Sequence, residues 1–266
     1  MRRDSRRGLF HQVSARDYWV WGGSALAALF ALWWTVTALQ LVSPYFLPSP
    51  AAVLGAFTEL WGDGTLQGDL AISLQRIAIG FSIATLFALP VGILMGTVWR
   101  FEAAVEPIVD FIRYMPAVSF VPLTIVWLGV GEGQKYSILF IGTFFQQALM
   151  VMDNVKRTPR EYVQVGQTLG MKTLPLLGRI VLPYSAPAIW DTIRITLGWG
   201  WTWLVIAELV AAESGLGHRI IVAQRYFHTD RIFMIIILIG VIGLVIDQAM
   251  RAIDRAWFGW SRGGAR

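Results

Sequence analysis

Ionisable residues lying in or beside long apolar runs are where this chain could do chemistry, because a charge at membrane depth is costly and faces a cavity or a partner. Asp110 and Arg113 lie three positions apart and can pair on one helix face. The alternative is that Arg113 lines an inner gate for an anion. Asp191 and Arg194 repeat the spacing further on, with the same two readings. Glu208 has no local partner in the sequence; it either pairs with a distant cation such as Arg76 or stands on a solute pathway. The run GWGWTW places Trp199 and Trp203 on one helix face and Trp201 on another, as belt or packing residues or as rings lining a pore. Gly198 and Gly200 beside them permit close helix approach. Pro90, Pro116 and Pro122 either shape such a pore or are packing kinks.

Covalent chemistry is not indicated. No nucleophile, base or metal-ligand grouping falls at one depth with suitable spacing. The chain has no cysteine, and His218 and His228 have no third ligand nearby. Gly170-Met171-Lys172-Thr173 lacks both the ending and the upstream glycine spacing of a phosphate loop. No nucleotide, metal or other cofactor is therefore expected on this chain. The net charge of +5 does not point to nucleic acid, because the basic residues flank apolar segments instead of forming a stripe.

The elements that must carry these residues are membrane helices. Uncharged windows long enough to cross about 30 Å of hydrocarbon recur along the chain, and backbone in lipid must satisfy itself internally. Six spans are expected: residues 18–42; 77–99; 114–131 with a polar helical lead-in from Phe101; 136–152; 187–212; and one from 232 to beyond Asp247. The last two are the least sharply bounded. Arginine and lysine crowd the tails and alternate loops, which puts both termini in the cytoplasm. The expected division is a cytoplasmic tail 1–17, a transmembrane domain 18–256 and a tail 257–266. The first outer loop, 43–69, has no Lys or Arg and contains a helix at the interface anchored by Trp61.

Residues 157–183 form a polar, basic island between apolar runs. Thr158-Pro159-Arg160-Glu161 reads as a helix start, with Thr158 as cap, Pro159 at the first position and Glu161 completing a capping box. The helix ends at Gly170 in a left-handed conformation. Tyr162, Val165 and Leu169 share one face, which requires either a lipid surface or a protein partner.

Gly170 is followed by Ile180-Val181-Leu182-Pro183 at a spacing that resembles the EAA loop of ABC-importer permeases. FLPSP at 46–50, SLQRIAIGFSIATLFALPVGILMG at 73–96, FIRYMPAVSFVPLTIVWLGVGEGQK at 111–135 and AELVAAESGLG at 207–217 are similar, in order, to the subgroup that imports sulfonates, taurine, nitrate or bicarbonate. The resemblance implies an all-α membrane protein of the type I importer permease fold. Its implied partners are two ATPase subunits, which use the ATP and Mg, a second copy of this permease and an extracytoplasmic binding protein. It also implies a bacterial inner-membrane location. The implied ATPase contact comprises Tyr162, Gln164, Val165, Leu169, Gly170, Ile180, Leu182 and Pro183. The family's glutamate position is Gln164 here, and its two alanines are Val165 and Gly166, so no salt bridge is expected from position 164. Arg113, Pro116, Trp199, Trp203 and Glu208 are the candidate pathway residues. Related members import pyrimidine- or flavin-type vitamins. The rival from another class is a self-sufficient channel or ion-coupled carrier working through Asp110, Glu208 or Asp247.

Overall fold

Small residues every fourth position along one helix organise the bundle. A computed structural model describes residues 14–262. In it the helix Thr65–Thr97 (α3) runs parallel to the helix Glu132–Lys156 (α6). Gly80, Ala84, Ala88, Gly92 and Gly96 form one ridge on α3, and both alanines are fully buried. The approach is so close that a Cβ on Gly92 would stand 2.5 Å from the Ala148 carbonyl. Small residues drive such packing where lipid offers no hydrophobic gain. Buried polar bonds add to it: Gln147 of α6 meets Thr85, and Asn154 donates to Thr192 Oγ1 at 2.7 Å and to the Ala188 carbonyl.

The remaining helices in chain order are Ala15–Ala38 (α1), Pro50–Gly62 (α2), Trp99–Arg113 (α4), Val121–Leu128 (α5), Arg160–Thr168 (α7), Thr173–Leu176 (α8), Leu182–Ala211 (α9), Leu216–Arg225 (α10) and Thr229–Trp257 (α11). Among the described residues no strand occurs. Among the described residues five helices are long and apolar enough to cross a membrane, and six spans result if one bent pair is counted as a span. The expected tail 1–17 and the end of the tail 257–266 lie largely outside the described residues.

Three expectations need correction. Residues 114–131 are not one straight span: α4 and the segment Ala117–Leu128 meet at 87°. Pro116 caps the short 3-10 turn at the bend, where it ends the preceding helical ladder. The fifth helix is longer than 187–212. It extends back through α8 and a π-turn at Leu177–Val181 to give one segment, Thr173–Ala211. Pro183 lacks an N–H and its ring crowds the Arg179 carbonyl, and the widened turn accommodates both. Ile180 to Pro183 are therefore helix, not loop. Thr158 does not cap α7. Pro159 stands at the N-cap in extended conformation, no side chain caps there, and the buried Thr158 hydroxyl has no partner among the described residues.

Antiparallel packing of α1 on α11 sets the ends. Trp33 stacks on Phe233 with ring centres 6.5 Å apart, and Thr229 near the start of α11 bonds the Pro44 carbonyl beyond the end of α1. The beginning of α1 and the end of α11 thus point toward the same end of the bundle as segment 157–183.

Candidate functional site

The 87° bend creates the site. Arg113 at the end of α4, Pro116 at the bend, Gly142 and Phe145 of α6, and Trp199 and Trp203 of α9 enclose a cavity of about 310 Å³. Four of the five candidate pathway residues therefore converge from positions far apart in the chain. Small-molecule sites start at about this size. The arrangement depends on one close contact: a Cβ on Gly142 would lie 2.4 Å from the Trp203 ring, so glycine alone lets that indole lie flat on α6. Trp201 points the other way and is buried in the main core, as the spacing predicts. The Arg113 guanidinium is held by Asp110 at 2.8 Å and lies 4.7 Å from the centre of the Tyr114 ring. Pairing with Asp110 and facing the cavity are thus compatible at Arg113. The cavity offers aromatic walls, one cation and the hydroxyl and amide of Thr202 and Gln146. It is large enough to hold a small solute.

Glu208 is placed elsewhere. Its carboxylate is fully buried and accepts from Arg76 at 2.9 Å, from Ser73 at 2.8 Å and from the Gly217 backbone N–H at 2.8 Å. The distant partner Arg76, one of the two readings for this residue, is the one the structure contains. Arg76 also grips Glu132 of α6 and the Ser214 carbonyl. Four residues nearer the start of α3 than Ser73, Asp69 receives the Gly215 N–H and the Arg219 guanidinium. Asp69, Ser73 and Arg76 lie on one face of α3, so one helix face clamps the corner between α9 and α10. Gly215 sits at φ +107°, and a Cβ there would lie 2.3 Å from a Glu208 oxygen. This explains the glycines of ESGLG.

Asp191 and Arg194 pair at 3.0 Å, one of the two readings for them. Arg194 also reaches Asp247 of α11 at 2.9 Å, and Asp247 in turn holds Arg251. Asp247 thus serves as a tie between helices.

Segment 157–183 forms a second site at the far end of α6, roughly 37 Å from Glu132 by helical rise. α7 ends in a paired C-terminal motif: the Met171 N–H bonds the Gly166 carbonyl, and the Gly170 N–H bonds that of Gln167. Gly170 has φ +75°, which glycine adopts freely. Gly166 faces inward, and a Cβ on it would lie 2.6 Å from Ile180. Val163 joins Leu176 and Val155 in a small core. α7 is therefore seated on the helix that becomes α9. Tyr162 touches the Tyr184 ring edge-on at 5.7 Å. On the outward side Tyr162, Val165, Leu169 and Leu174 are 52%, 59%, 76% and 79% exposed. Gln164 is exposed, Leu182 is half-buried, and Pro183 is exposed at the start of α9.

Comparison with known proteins places this architecture. Residues 88–259 match the family described as "Binding-protein-dependent transport system inner membrane component", and the chain belongs to that family. It is a permease component of an ABC importer, a multi-pass inner-membrane transport subunit. It is 36% identical over 240 residues to the taurine transport system permease protein TauC of Escherichia coli (strain K12), covering 88% of this chain and 87% of that one. It is 31% identical over 242 residues to the putative aliphatic sulfonates transport permease protein SsuC of Bacillus subtilis (strain 168), covering 91% and 88%. The bicarbonate transport system permease protein CmpB of Synechococcus elongatus is 29% identical over 184 residues, covering 69% and 66%. An inward-facing structure of the MetNI methionine ABC transporter shares the fold, with a TM-score of 0.64 at 20% identity, covering 72% of this chain and 95% of that one.

Proposed function

We propose that this chain forms half of the translocation pathway for a small anion of the sulfonate, taurine, nitrate or bicarbonate type, and that a separate ATPase docks on α7. Both termini and segment 157–183 are placed in the cytoplasm on the positive-inside bias, and the clamp around Arg76 then lies at the outer end. Two copies enclose the pathway, two ATPases drive it, and a binding protein delivers solute to the outer face. The relatives' names support the substrate class, as does the single guanidinium facing the cavity.

The observation that carries the reading is mechanical. The outward apolar face of α7 belongs to a helix seated, through Gly166 and Ile180, on the segment Thr173–Ala211 that also bears Trp199 and Trp203. Closure of the ATPase pair on ATP pulls α7, the pull passes along α9, and the cavity walls move. Solute enters from the binding protein when the pathway opens outward, and hydrolysis resets it. Work is transmitted only because the ATPase surface fits α7 differently in the two states.

The test is uptake in proteoliposomes containing this permease and its cognate ATPase and binding protein. ATP-dependent accumulation of radiolabelled taurine, an alkanesulfonate, nitrate or bicarbonate is the expected result. Flux through the chain without the ATPase would establish a self-sufficient carrier instead. Uptake of a pyrimidine or flavin alone would move the substrate to a flat ring held between the tryptophans.

A further inference from the structure

Helix α1 is held to the bundle at few points. The Trp33 indole N–H donates to the Pro48 carbonyl at 3.0 Å, and its ring stacks on Phe233. Either side of this attachment is an apolar groove, one of about 680 Å³ among α1, α2 and α11 and one of about 840 Å³ between α1 and α11. Phe30, Trp33 and Ile237 line both grooves and form the ridge between them. At the end of the bundle away from segment 157–183 lies a third pocket of about 430 Å³, with different chemistry. Gln40, Tyr45, Phe227 and Asp230 line it, and Leu47 is shared with one groove. Ser49 borders this pocket and Pro50 borders the other groove, so the pocket adjoins both.

Two features of the pocket point to a ligand. Among the described residues no salt bridge is formed by Asp230, while its neighbour Arg231 turns away to Glu59. Among the described residues, Gln40 and Phe227 are the two non-glycine residues at positive φ, 51° and 58°. Each follows a helix in the paired C-terminal motif where glycine is usual: Leu41 N–H bonds Val36 and Gln40 N–H bonds Thr37, while His228 bonds Ala223 and Phe227 bonds Gln224. A phenylalanine there is uncommon, and the strain is of the kind that accumulates at ligand clamps. Both side chains border the same pocket.

We propose that this pocket and its two grooves bind one phospholipid with a primary-ammonium headgroup. One acyl chain fills each groove beside the Phe30–Trp33 ridge. The ammonium meets the Asp230 carboxylate and the rings of Tyr45 and Phe227, where a cation over an aromatic ring gains further stabilisation. Gln40 supplies an amide donor to the phosphodiester. A two-chain amphiphile matches one polar pocket joined to two apolar grooves, and the carboxylate selects an ammonium over an anionic headgroup. The lipid completes the packing of α1 on the bundle, which the protein alone leaves open.

The full-length permease, extracted in mild detergent from membranes containing phosphatidylethanolamine and phosphatidylglycerol, is analysed by native mass spectrometry. One phosphatidylethanolamine per chain is expected, retained several-fold over phosphatidylglycerol. Asp230→Lys reverses that preference, and Ile237→Trp, which fills both grooves from a lipid-facing position, loses both lipids. Absence of bound lipid in the unaltered protein would overturn the proposal. So would a preference unchanged in Asp230→Lys. A Leu29→Cys variant that cross-links chain to chain would show that a second copy occupies the groove, and that too would overturn it.

Discussion

The clamp around Arg76 and the segment around α7 sit at opposite ends of α6 and solve opposite problems. In the clamp, Asp69, Ser73, Arg76 and Glu208 are buried, and their partners are all supplied by this chain. In α7, Tyr162, Val165 and Leu169 are apolar and exposed, although water is a poor solvent for them. Charge is buried at one end and apolar surface is exposed at the other. The clamp's interactions close within the chain and fix four helices together, α3, α6, α9 and α10. Those of α7 remain open, as a surface completed by another protein requires. On the function proposed above, the clamped end gives the α7 end something to move against.

The sharpest way to break this comparison is Arg76→Met. It leaves Glu208 buried without its cation, and removing one partner from a buried pair costs about 3–5 kcal/mol. The expected result is a large loss of monodisperse protein and a drop in detergent melting temperature, with Arg76→Lys intermediate. An unchanged melting temperature would show that the clamp is not what holds α3, α6 and α9 together.

Leu169→Glu tests the other end. The residue is 76% exposed, so folding and melting temperature should be unaffected. Losing a buried leucine contact at an interface is worth roughly 1.5–3 kcal/mol, and every 1.4 kcal/mol is tenfold in affinity. Co-purification of the ATPase and ATP-driven uptake should therefore fall at least about tenfold. Combining the change with Gly170→Pro, which disrupts the turn at φ +75°, should abolish both. Assembly and uptake at the level of the unaltered chain in the double variant would remove α7 as the docking element.

Between the two ends, Gly142→Val probes the cavity. Its Cβ collides with Trp203, and overpacking of this kind costs about 1–3 kcal/mol. The indole must move, so solute transport should fall several-fold while ATPase binding is retained. If ATPase binding falls in parallel, the cavity and the docking surface are not separable.

What the sequence made legible follows the same division. The apolar stretches within the spans and the exposed stripe of α7 depend on local pattern and are readable, whereas the third span's bend and the fifth helix's start are not. The facing of Trp199 and Trp203 depends only on helical spacing and was readable too. The pairing of Arg76 with Glu208 joins residues 132 positions apart, and the sequence alone left it as one of two alternatives. Pro116 is readable as a helix break or kink, but the 87° turn there is not, because hydropathy counts apolar residues and does not register the angle of the backbone between them. Thr158 was misread as a cap because composition favoured it, whereas Pro159 in extended conformation took that place. The ridge from Gly80 to Gly96 is a finding of the structure: the small residues recur at every fourth position, but the sequence does not show which helix meets them.

Asp191→Asn is the smallest expected effect and the finest test of what distinguishes the clamp. Arg194 would keep Asp247 at 2.9 Å, and the Asp191 side chain is 49% exposed. Exposed pairs are worth about 0–1 kcal/mol, so the melting temperature should move little. Asp247→Asn should cost more, because Asp247 holds Arg194 and Arg251 together and so ties α9 to α11. This order follows from burial and the number of partners, not from the presence of charge. If Asp191→Asn proved as damaging as Arg76→Met, charge alone would be setting the cost, and the clamp would lose its claim to be a distinct, rigid end of the molecule.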